Sequence, residues 1–176
     1  MWRKVGTCVG FDLFCVKSAP TKAKSGHKSK EKEAVTMAFL GSSSYSLDSK
    51  NRVFIPAKYR EELGNVFYIT RSLEACLTIY TEDEWAAFLQ KLERLPSTTG
   101  AAVKEYFLSA AQKCQTDSSG RIILDDTLIK HSKIKKNVMF VGAGQLINVW
   151  SEEGWIDRED NRDVVGMGAF MSQHGL

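Results

Sequence analysis

The stretch Tyr45-Ser-Leu-Asp48-Ser-Lys-Asn-Arg52-Val-Phe-Ile55 returns further along the chain as Cys114-Gln-Thr-Asp117-Ser-Ser-Gly-Arg121-Ile-Ile-Leu124. Aspartate, serine and arginine coincide in the two copies, and Asn51 falls on Gly120. Asparagine and glycine tolerate the positive φ that a tight turn needs. The pattern therefore predicts, in each copy, a tight turn that is followed by a short apolar strand.

A second pair of matching stretches follows the first in the same order. Leu77-Thr-Ile-Tyr-Thr-Glu-Asp-Glu-Trp85 matches Ile147-Asn-Val-Trp-Ser-Glu-Glu-Gly-Trp155 at its Thr/Ser, Glu and Trp positions. These matches define one repeat at residues 42–84 and another at residues 111–156. A unit of that size is too small to bury a self-sufficient core. We therefore expect the two repeats to share one core.

Local signals predict four short strands and one helix in each repeat. In the first repeat, Pro56 suits a helix start and Gly64 suits its end, so a helix is expected over Ala57–Leu63. In the second, Asp125 or Asp126 is the expected N-cap of a helix over Thr127–His131. The third and fourth strands are expected at Val66–Thr70, Cys76–Tyr80, Val138–Val141 and Leu146–Trp150.

The sequence also predicts two linking helices at residues 85–110. Thr81-Glu-Asp-Glu84 matches a capping box and is expected to open a helix that ends near Leu95. Residues 96–100 are expected to break it, and a second helix is expected over Ala101–Gln112, with an apolar face of Val103, Phe107, Leu108 and Ala111. The tail, residues 157–176, is expected to lack regular structure.

Positive charge is concentrated at the start of the chain. The first 36 residues carry +5 and the remaining 140 carry −2, within a total of +3. Bulk charge therefore gives no argument that the repeats bind nucleic acid. Residues 1–37 are polar and lysine-rich in their second half, and we interpret them as a disordered extension outside the repeats. The alternatives are a secretion signal or a basic arm that touches DNA phosphates.

Several classes of protein lack support in the sequence. No apolar run approaches the roughly 20 residues that cross a bilayer. The four cysteines have no zinc-binding spacing, and Cys76 and Cys114 are expected to be buried free thiols. Residues 138–144 contain two glycines of a dinucleotide-binding loop, but a strand is predicted where a helix should follow. We expect no catalytic residue, no metal, no cofactor and no small-molecule substrate.

The repeats and their turns resemble the MraZ family over residues 38–156. The resemblance rests on Phe39-Leu-Gly41, on the stretch from Leu47 to Leu63, on the second Asp-x-x-x-Arg motif and on Trp150-x-x-x-x-Trp155. It implies a mainly β fold with short helices (α+β), built as a duplicated AbrB-like double-split, swapped-hairpin barrel. It also implies a ring-like homo-oligomer that regulates transcription of division and cell-wall genes by binding short G-rich direct repeats in double-stranded DNA. The expected location is the cytoplasm, at the nucleoid.

The turns supply the candidate DNA contacts. A guanidinium presents a planar fork of donors that matches guanine O6 and N7 or a phosphate. We therefore expect Arg52 and Arg121 to contact DNA, with Asp48 and Asp117 orienting them. Further phosphate contacts are expected from Lys50, Lys58 and Arg60. The plainer interpretation is a hairpin closed by a salt bridge with no ligand, and the rival function is an AbrB-fold protein–protein interaction module of antitoxin type.

This sequence departs from the family at three places. Asn51 replaces the usual glycine of the first turn, Asp125 stands where proline is usual, and Lys130 stands where arginine is usual. The last two weaken the case for the second repeat's helix as a DNA contact. Trp85 and Trp155 are expected to serve packing rather than ligand stacking.

Overall fold

Seven elements follow one another twice in the same order along the chain. A computed structural model describes residues 39–175, and all the elements lie within that range. The first series is β1 (Ser42–Ser46), β2 (Arg52–Phe54), α1 (Ala57–Leu63), β3 (Phe67–Arg71), β4 (Cys76–Thr81), α2 (Glu82–Glu93) and α3 (Ser97–Leu108). The second is β5 (Gln112–Cys114), β6 (Arg121–Ile123), α4 (Asp126–Ser132), β7 (Asn137–Ala143), β8 (Leu146–Ser151), α5 (Glu152–Asp160) and α6 (Val164–Gln173). The interpretation of residues 1–37 as an extension falls outside the described residues.

The two repeats exchange their first strands. The larger sheet is antiparallel in every pair and has the order β1-β7-β8-β4-β3-β5. Strand β1 pairs with β7 of the second repeat, as in Ser44 opposite Met139, and β5 pairs with β3 of the first, as in Lys113 opposite Tyr68. In each repeat, one edge of the third strand pairs with the first strand of the other repeat, so the larger sheet contains strands of both repeats on each side.

An approximate twofold relation connects the repeats in both sheets. Thr78 lies opposite Asn148 at the centre of the β4–β8 pair, and Thr78 Oγ1 donates a hydrogen bond to Asn148 Oδ1 at 3.4 Å. Val53 lies opposite Ile122 at the centre of the β2–β6 pair, which forms a separate two-stranded sheet. The twofold relation thus places equivalent residues of the two repeats side by side.

The expected mainly β, α+β fold is confirmed in its coarse form, but the expected closed barrel is not found. Within residues 39–175, β1 and β5 remain at opposite edges of the larger sheet, and β2 and β6 pair only with each other. The tight turns after β1 and β5 direct the following strands out of the larger sheet. The observed arrangement is therefore a six-stranded sheet accompanied by a two-stranded ribbon.

Both repeats contribute to one hydrophobic core. The fully buried side chains come from matching positions, such as Val53 and Ile122 on the ribbon and Leu77 and Ile147 on the central strands. The central strand β4 is buried on both faces, and its residues are nearly all apolar or threonine. Apolar burial of this kind is the main stabilising contribution to a small domain.

Side-chain caps begin α2 and α5, and the first of them was predicted from the sequence. The hydroxyl of Thr81 accepts a hydrogen bond from the Glu84 amide, and the hydroxyl of Ser151 accepts one from the Gly154 amide, both at 3.2 Å. These caps satisfy backbone donors that the first turn of a helix leaves unpaired. The predicted helix start with Thr81 as its cap is therefore confirmed in the first repeat, and Ser151 makes an equivalent cap in the second.

The predicted limits and buried face of α3 are wrong. The helix begins at Ser97 directly after Pro96 and ends at Leu108, so the residues expected to break the helices form its first turn. Gly100 fits there because a Cβ would lie 2.7 Å from Leu95 Cβ. Val103 and Leu108 are exposed. Phe107, which was also predicted on this face, does pack, since it meets Phe88 edge to face at 5.3 Å.

The expectation of an irregular tail is also wrong. The carboxylate of Asp163 accepts a hydrogen bond from the Gly166 amide at 2.8 Å and caps α6. With α5 and α6, the second repeat contains the same pair of helices as the first. Their sequences have diverged so far that the match ends at Trp155, which is why the tail looked irregular.

Other expectations about single residues hold. Cys76 and Cys114 are buried free thiols, and burial raises the pKa of Cys114 to about 12. Trp85 packs in a stack with Tyr68 at 5.1 Å, and Trp155 lies 6.1 Å from Trp150.

Within residues 39–175, no helix combines the length and apolar character that crossing a membrane requires.

The shared core predicts a large difference between two leucine substitutions. Leu77→Ala on β4 should lower the free energy of unfolding by about 2–5 kcal/mol, because the side chain is fully buried and its removal leaves a cavity. Leu73→Ala, at a side chain that is 80% exposed, should change it by no more than about 0.5 kcal/mol. Urea unfolding of the two variants measures both values, and equal decreases would contradict the shared core.

Candidate functional site

The first turn is organised by the carboxylate of Asp48. Its Oδ1 accepts hydrogen bonds from the backbone amides of Lys50 at 2.8 Å and Arg52 at 2.9 Å. Its Oδ2 accepts one from Nε of Arg52 at 2.7 Å. The amide of Asn51 donates to the Asp48 carbonyl, and Asn51 has a φ of 57°. One carboxylate therefore holds both the turn backbone and the arginine that follows it.

The second turn repeats this geometry. The amides of Ser119 and Arg121 donate to Oδ1 of Asp117 at 2.8 and 2.9 Å, and Nε of Arg121 donates to Oδ2 at 3.0 Å. Gly120 has a φ of 77° at the place of Asn51. The predicted turns are therefore confirmed, and Asn51 takes the left-handed conformation that glycine takes in the second turn.

Backbone hydrogen bonds are the main cause of the lowered pKa of Asp48. The Arg52 amide makes the largest contribution, the Lys50 amide and the Arg52 guanidinium add to it, and the pKa of Asp48 falls to about 2. The pKa of Asp117 is lowered in the same way, with the Arg121 amide as the first cause. Both carboxylates are therefore ionised at neutral pH and hold their arginines as ion pairs.

The β2–β6 ribbon brings the two arginines together. Its register places Arg52 opposite Ile123 and Arg121 opposite Phe54, while Val53 and Ile122 face the core. Because side chains alternate across a strand, both guanidinium groups lie on the outward face of the ribbon. The hydrogen bonds described above use only Nε of each arginine. Within residues 39–175, no hydrogen bond uses the terminal nitrogens of either group.

Each turn is also braced by a helix of the other repeat. The side-chain amide of Asn51 donates to Oδ1 of Asp126, in α4, at 2.7 Å. Arg60, in α1, donates from Nε to the Ile55 carbonyl at 3.0 Å, and its guanidinium covers Gly120 so closely that a Cβ there would collide with it. The charge beside the first turn is thus negative, and beside the second it is positive.

The two predicted lysines occupy different places. Lys50 lies in the first turn with an exposed side chain. Lys58 points elsewhere, since its Nζ donates to the Ser42 carbonyl at 3.3 Å, at the end of β1 away from the turn. The structure therefore groups Lys50, Arg60 and the two Asp–Arg pairs around the ribbon and leaves Lys58 outside that group.

Four residues near the ribbon were not predicted. Phe54 and Ile123 lie on its outward face, although their sequence predicts only that they belong to apolar strands. The side chain of Gln112 lies along the end of β6. Its Nε2 donates a hydrogen bond to the Ile123 carbonyl at 2.8 Å, and its Oε1 accepts one from the backbone amide of Asp125 at 3.2 Å. Lys113 lines the adjoining groove with Arg52 and Arg121. The two-residue alternation after each arginine was the signal for Phe54 and Ile123.

Other chemistries find no matching site in the described part of the chain. Residues 39–175 contain no cluster of three or more histidine, cysteine or acidic side chains that is suited to a metal. The two glycines of the suspected dinucleotide loop lie in the β7–β8 hairpin, and β8 follows them where a helix would be needed. The strand predicted over Leu146–Trp150 is therefore confirmed.

Comparison with known proteins gives one consistent family. The family model described as "MraZ protein, putative antitoxin-like" matches residues 38–104 and 107–163. A Caldanaerobacter subterraneus protein named "Transcriptional regulator MraZ" is 41% identical over 127 residues, which is 71% of this chain and 89% of the relative. A protein of the same name from Clostridium acetobutylicum is 36% identical over 141 residues, which is 78% of this chain and 99% of the relative.

The turn geometry predicts how the Asp48 carboxyl titrates. In the unchanged protein its pKa should be about 2, and in Arg52→Ala it should rise but stay below the ordinary 3.8, because the two backbone donors remain. Carboxyl-carbon NMR across a pH series measures both values. A return to 3.8 in Arg52→Ala would mean that the guanidinium, and not the turn backbone, sets the pKa.

Proposed function

Because the chain belongs to the MraZ family, we propose that it is a transcriptional regulator that binds double-stranded DNA through its two Asp-x-x-x-Arg turns. The observation that carries the proposal is the ribbon, whose outward face bears Arg52 and Arg121 at diagonal positions, with terminal nitrogens that make no hydrogen bond within residues 39–175. Each arginine is oriented by a carboxylate, so little side-chain freedom is given up when it meets a ligand.

The chemistry of the proposed contacts follows from the guanidinium group. Two terminal nitrogens can donate together to O6 and N7 of one guanine in the major groove, which suits short G-rich direct repeats. Asp48 and Asp117 orient the arginines and do not touch the DNA. Lys50 and Arg60 contact phosphates, which fix register and carry no sequence information. Lys58, which lies at the far end of β1, is left out of these contacts. No cofactor or metal takes part.

The assembly and location of the protein belong to the same proposal. The exchange of first strands supports a swapped-hairpin relation between the repeats, as the family resemblance implies. We propose that copies of the chain form a ring-like homo-oligomer that presents several turns to successive DNA repeats. The protein acts in the cytoplasm, at the nucleoid, on genes for division and the cell wall.

A second function has two observations in its favour. Helix α6 exposes Val164, Val165 and Phe170, and the matching family description includes the word antitoxin-like. An apolar helix of this kind suits a protein partner, as in an AbrB-fold interaction module. Recovery of one stoichiometric protein partner together with no sequence-specific DNA binding would favour this alternative.

The proposed base contacts predict a difference between arginine and lysine variants. Arg52→Ala and Arg121→Ala should each weaken binding to the DNA upstream of the protein's own coding region by about 1–3 kcal/mol for every guanine that the arginine reads. Lys50→Ala should weaken binding to all sequences alike and reduce the salt slope by about one. Asp48→Ala should cost less than Arg52→Ala. Titration against upstream and scrambled duplexes at two salt concentrations measures these effects.

The matched control is Arg94→Ala, which removes an exposed arginine at the end of α2. It should leave the discrimination between upstream and scrambled DNA unchanged, and circular dichroism checks that every variant is folded. Full discrimination in both Arg52→Ala and Arg121→Ala would show that the turns are structural. The DNA surface would then lie elsewhere, with Lys58, Arg60 and residues 130–136 as the next candidates.

Assembly into closed oligomers predicts strong dependence on the number of DNA repeats. Sedimentation velocity should give a particle several times heavier than the 19.7 kDa chain. Linked sites raise each other's effective concentration, so deletion of one DNA repeat should reduce affinity far more than the removal of one independent site would. A monomer that binds with full affinity would contradict the proposed assembly.

A further inference from the structure

The outward face of the ribbon carries two exposed apolar side chains as well as the two arginines. Phe54 is 43% exposed and Ile123 is 57% exposed, whereas their neighbours Val53 and Ile122 are 0% and 3% exposed. Neither Phe54 nor Ile123 belongs to the hydrophobic core. Large apolar side chains in the middle of a polar, charged surface indicate a contact that the isolated chain does not make.

The strand register gives these side chains a defined relation to the arginines. Phe54 lies directly opposite Arg121, and the guanidinium carbon of Arg121 is 5.7 Å from the centre of the Phe54 ring. Ile123 lies directly opposite Arg52. The twofold relation therefore produces two units that each combine one carboxylate-held arginine with one apolar side chain.

The dimensions of the ribbon fit the major groove of DNA. Neighbouring strands lie about 4.8 Å apart, and the groove, about 12 Å wide, admits a two-stranded ribbon. Outward residues on one strand are two positions apart, so Arg52 and Phe54 are separated by roughly 6.8 Å. That span corresponds to about two base pairs at roughly 3.4 Å per nucleotide of each strand.

We propose that the β2–β6 ribbon enters the major groove and that Phe54 and Ile123 contact the 5-methyl groups of thymines beside the base pairs that Arg52 and Arg121 read. This proposal rests on the function proposed above and adds two specificity-determining residues to it. The thymine methyl is the one apolar group on the base edges in the major groove, and aromatic and aliphatic side chains are suitable partners for it.

A protein partner explains the ribbon face less well. Stable protein interfaces bury at least about 1,000 Å² and have few charges at their centre. The ribbon presents two short strands, and two of its four outward residues are arginines. Lys50 and Lys113 lie at its margins and add positive charge, which suits a polyanion. These features favour DNA as the occupant.

The test compares two duplexes that differ only in the thymine methyl group. The DNA upstream of the protein's own coding region is amplified once with thymidine triphosphate and once with deoxyuridine triphosphate, and the full chain is titrated against both. Uracil keeps every hydrogen-bonding group of thymine in the groove. Burial of a methyl-sized group contributes about 0.8 kcal/mol, so the absence of each contacted methyl should reduce affinity roughly fourfold.

Substitutions identify the side chains that sense the methyl groups. Phe54→Ala and Ile123→Ala should each bind thymine DNA more weakly than the unchanged protein does. Replacing thymine by uracil should then reduce their affinity less than it reduces that of the unchanged protein. The double variant should bind both duplexes almost equally. Leu73→Ala, at an exposed leucine away from the ribbon, should keep the thymine-to-uracil ratio of the unchanged protein. Circular dichroism and sedimentation confirm that the variants keep their fold and assembly.

The outcomes separate this proposal from the one on which it rests. Equal affinity of the unchanged protein for both duplexes, or an unchanged ratio in the double variant, would overturn the role of Phe54 and Ile123. If Arg52→Ala still abolished discrimination against scrambled DNA, the proposed function would stand without the role of Phe54 and Ile123. A change of oligomeric state in Phe54→Ala and Ile123→Ala, with DNA affinity intact, would assign the ribbon face to a protein interface instead. Absence of any preference of the unchanged protein for upstream DNA would overturn both proposals.

Discussion

The pairing of β2 with β6 is the interaction on which the candidate site depends. Each of these strands has three residues and gains a partner only from the other repeat. Isolated ribbons of this length are unstable in water. Here Val53 and Ile122 anchor the ribbon in the shared core, and the exchange of β1 and β5 ties the two halves of the larger sheet together. The strand pairings between the two repeats therefore both stabilise the fold and bring the two turns close together.

The two turns hold an arginine in a fixed position at the surface of each repeat. An exposed Asp–Arg pair contributes at most about 1 kcal/mol to stability, so a salt bridge alone gives little reason for two such pairs. The same carboxylates also accept two backbone amides each, and this fixes the arginines relative to the strands that bear them. A fixed guanidinium whose terminal nitrogens make no hydrogen bond within residues 39–175 is suited to a planar acceptor such as a guanine edge. The repeats nevertheless differ, since Asp126 braces one turn and Arg60 covers the other.

The sequence predicts the parts of this structure that depend on short-range rules. The Asp48 and Asp117 turns, the strands after them and the helix cap at Thr81 all follow from local residue chemistry and a visible repeat. The ribbon does not, because the pairing of Arg52 with Ile123 joins strands of different repeats and leaves no local signal. The outward position of Phe54 and Ile123, by contrast, could have been predicted, because each lies two residues after an arginine on the same face of its strand. Helix α6 was missed because its sequence no longer resembles that of α3, although Asp163 caps it in the ordinary way.

The central claim is that two arginines, one from each repeat, read guanines in the major groove from a single ribbon. It is tested most directly with upstream DNA in which every guanine is replaced by 7-deazaguanine, because this base lacks only the N7 acceptor. The account predicts that the unchanged protein binds this DNA more weakly and that the Arg52→Ala, Arg121→Ala double variant, which already lacks both guanidinium groups, is weakened almost no further. An equal decrease in both proteins, or no decrease in the unchanged one, would contradict it.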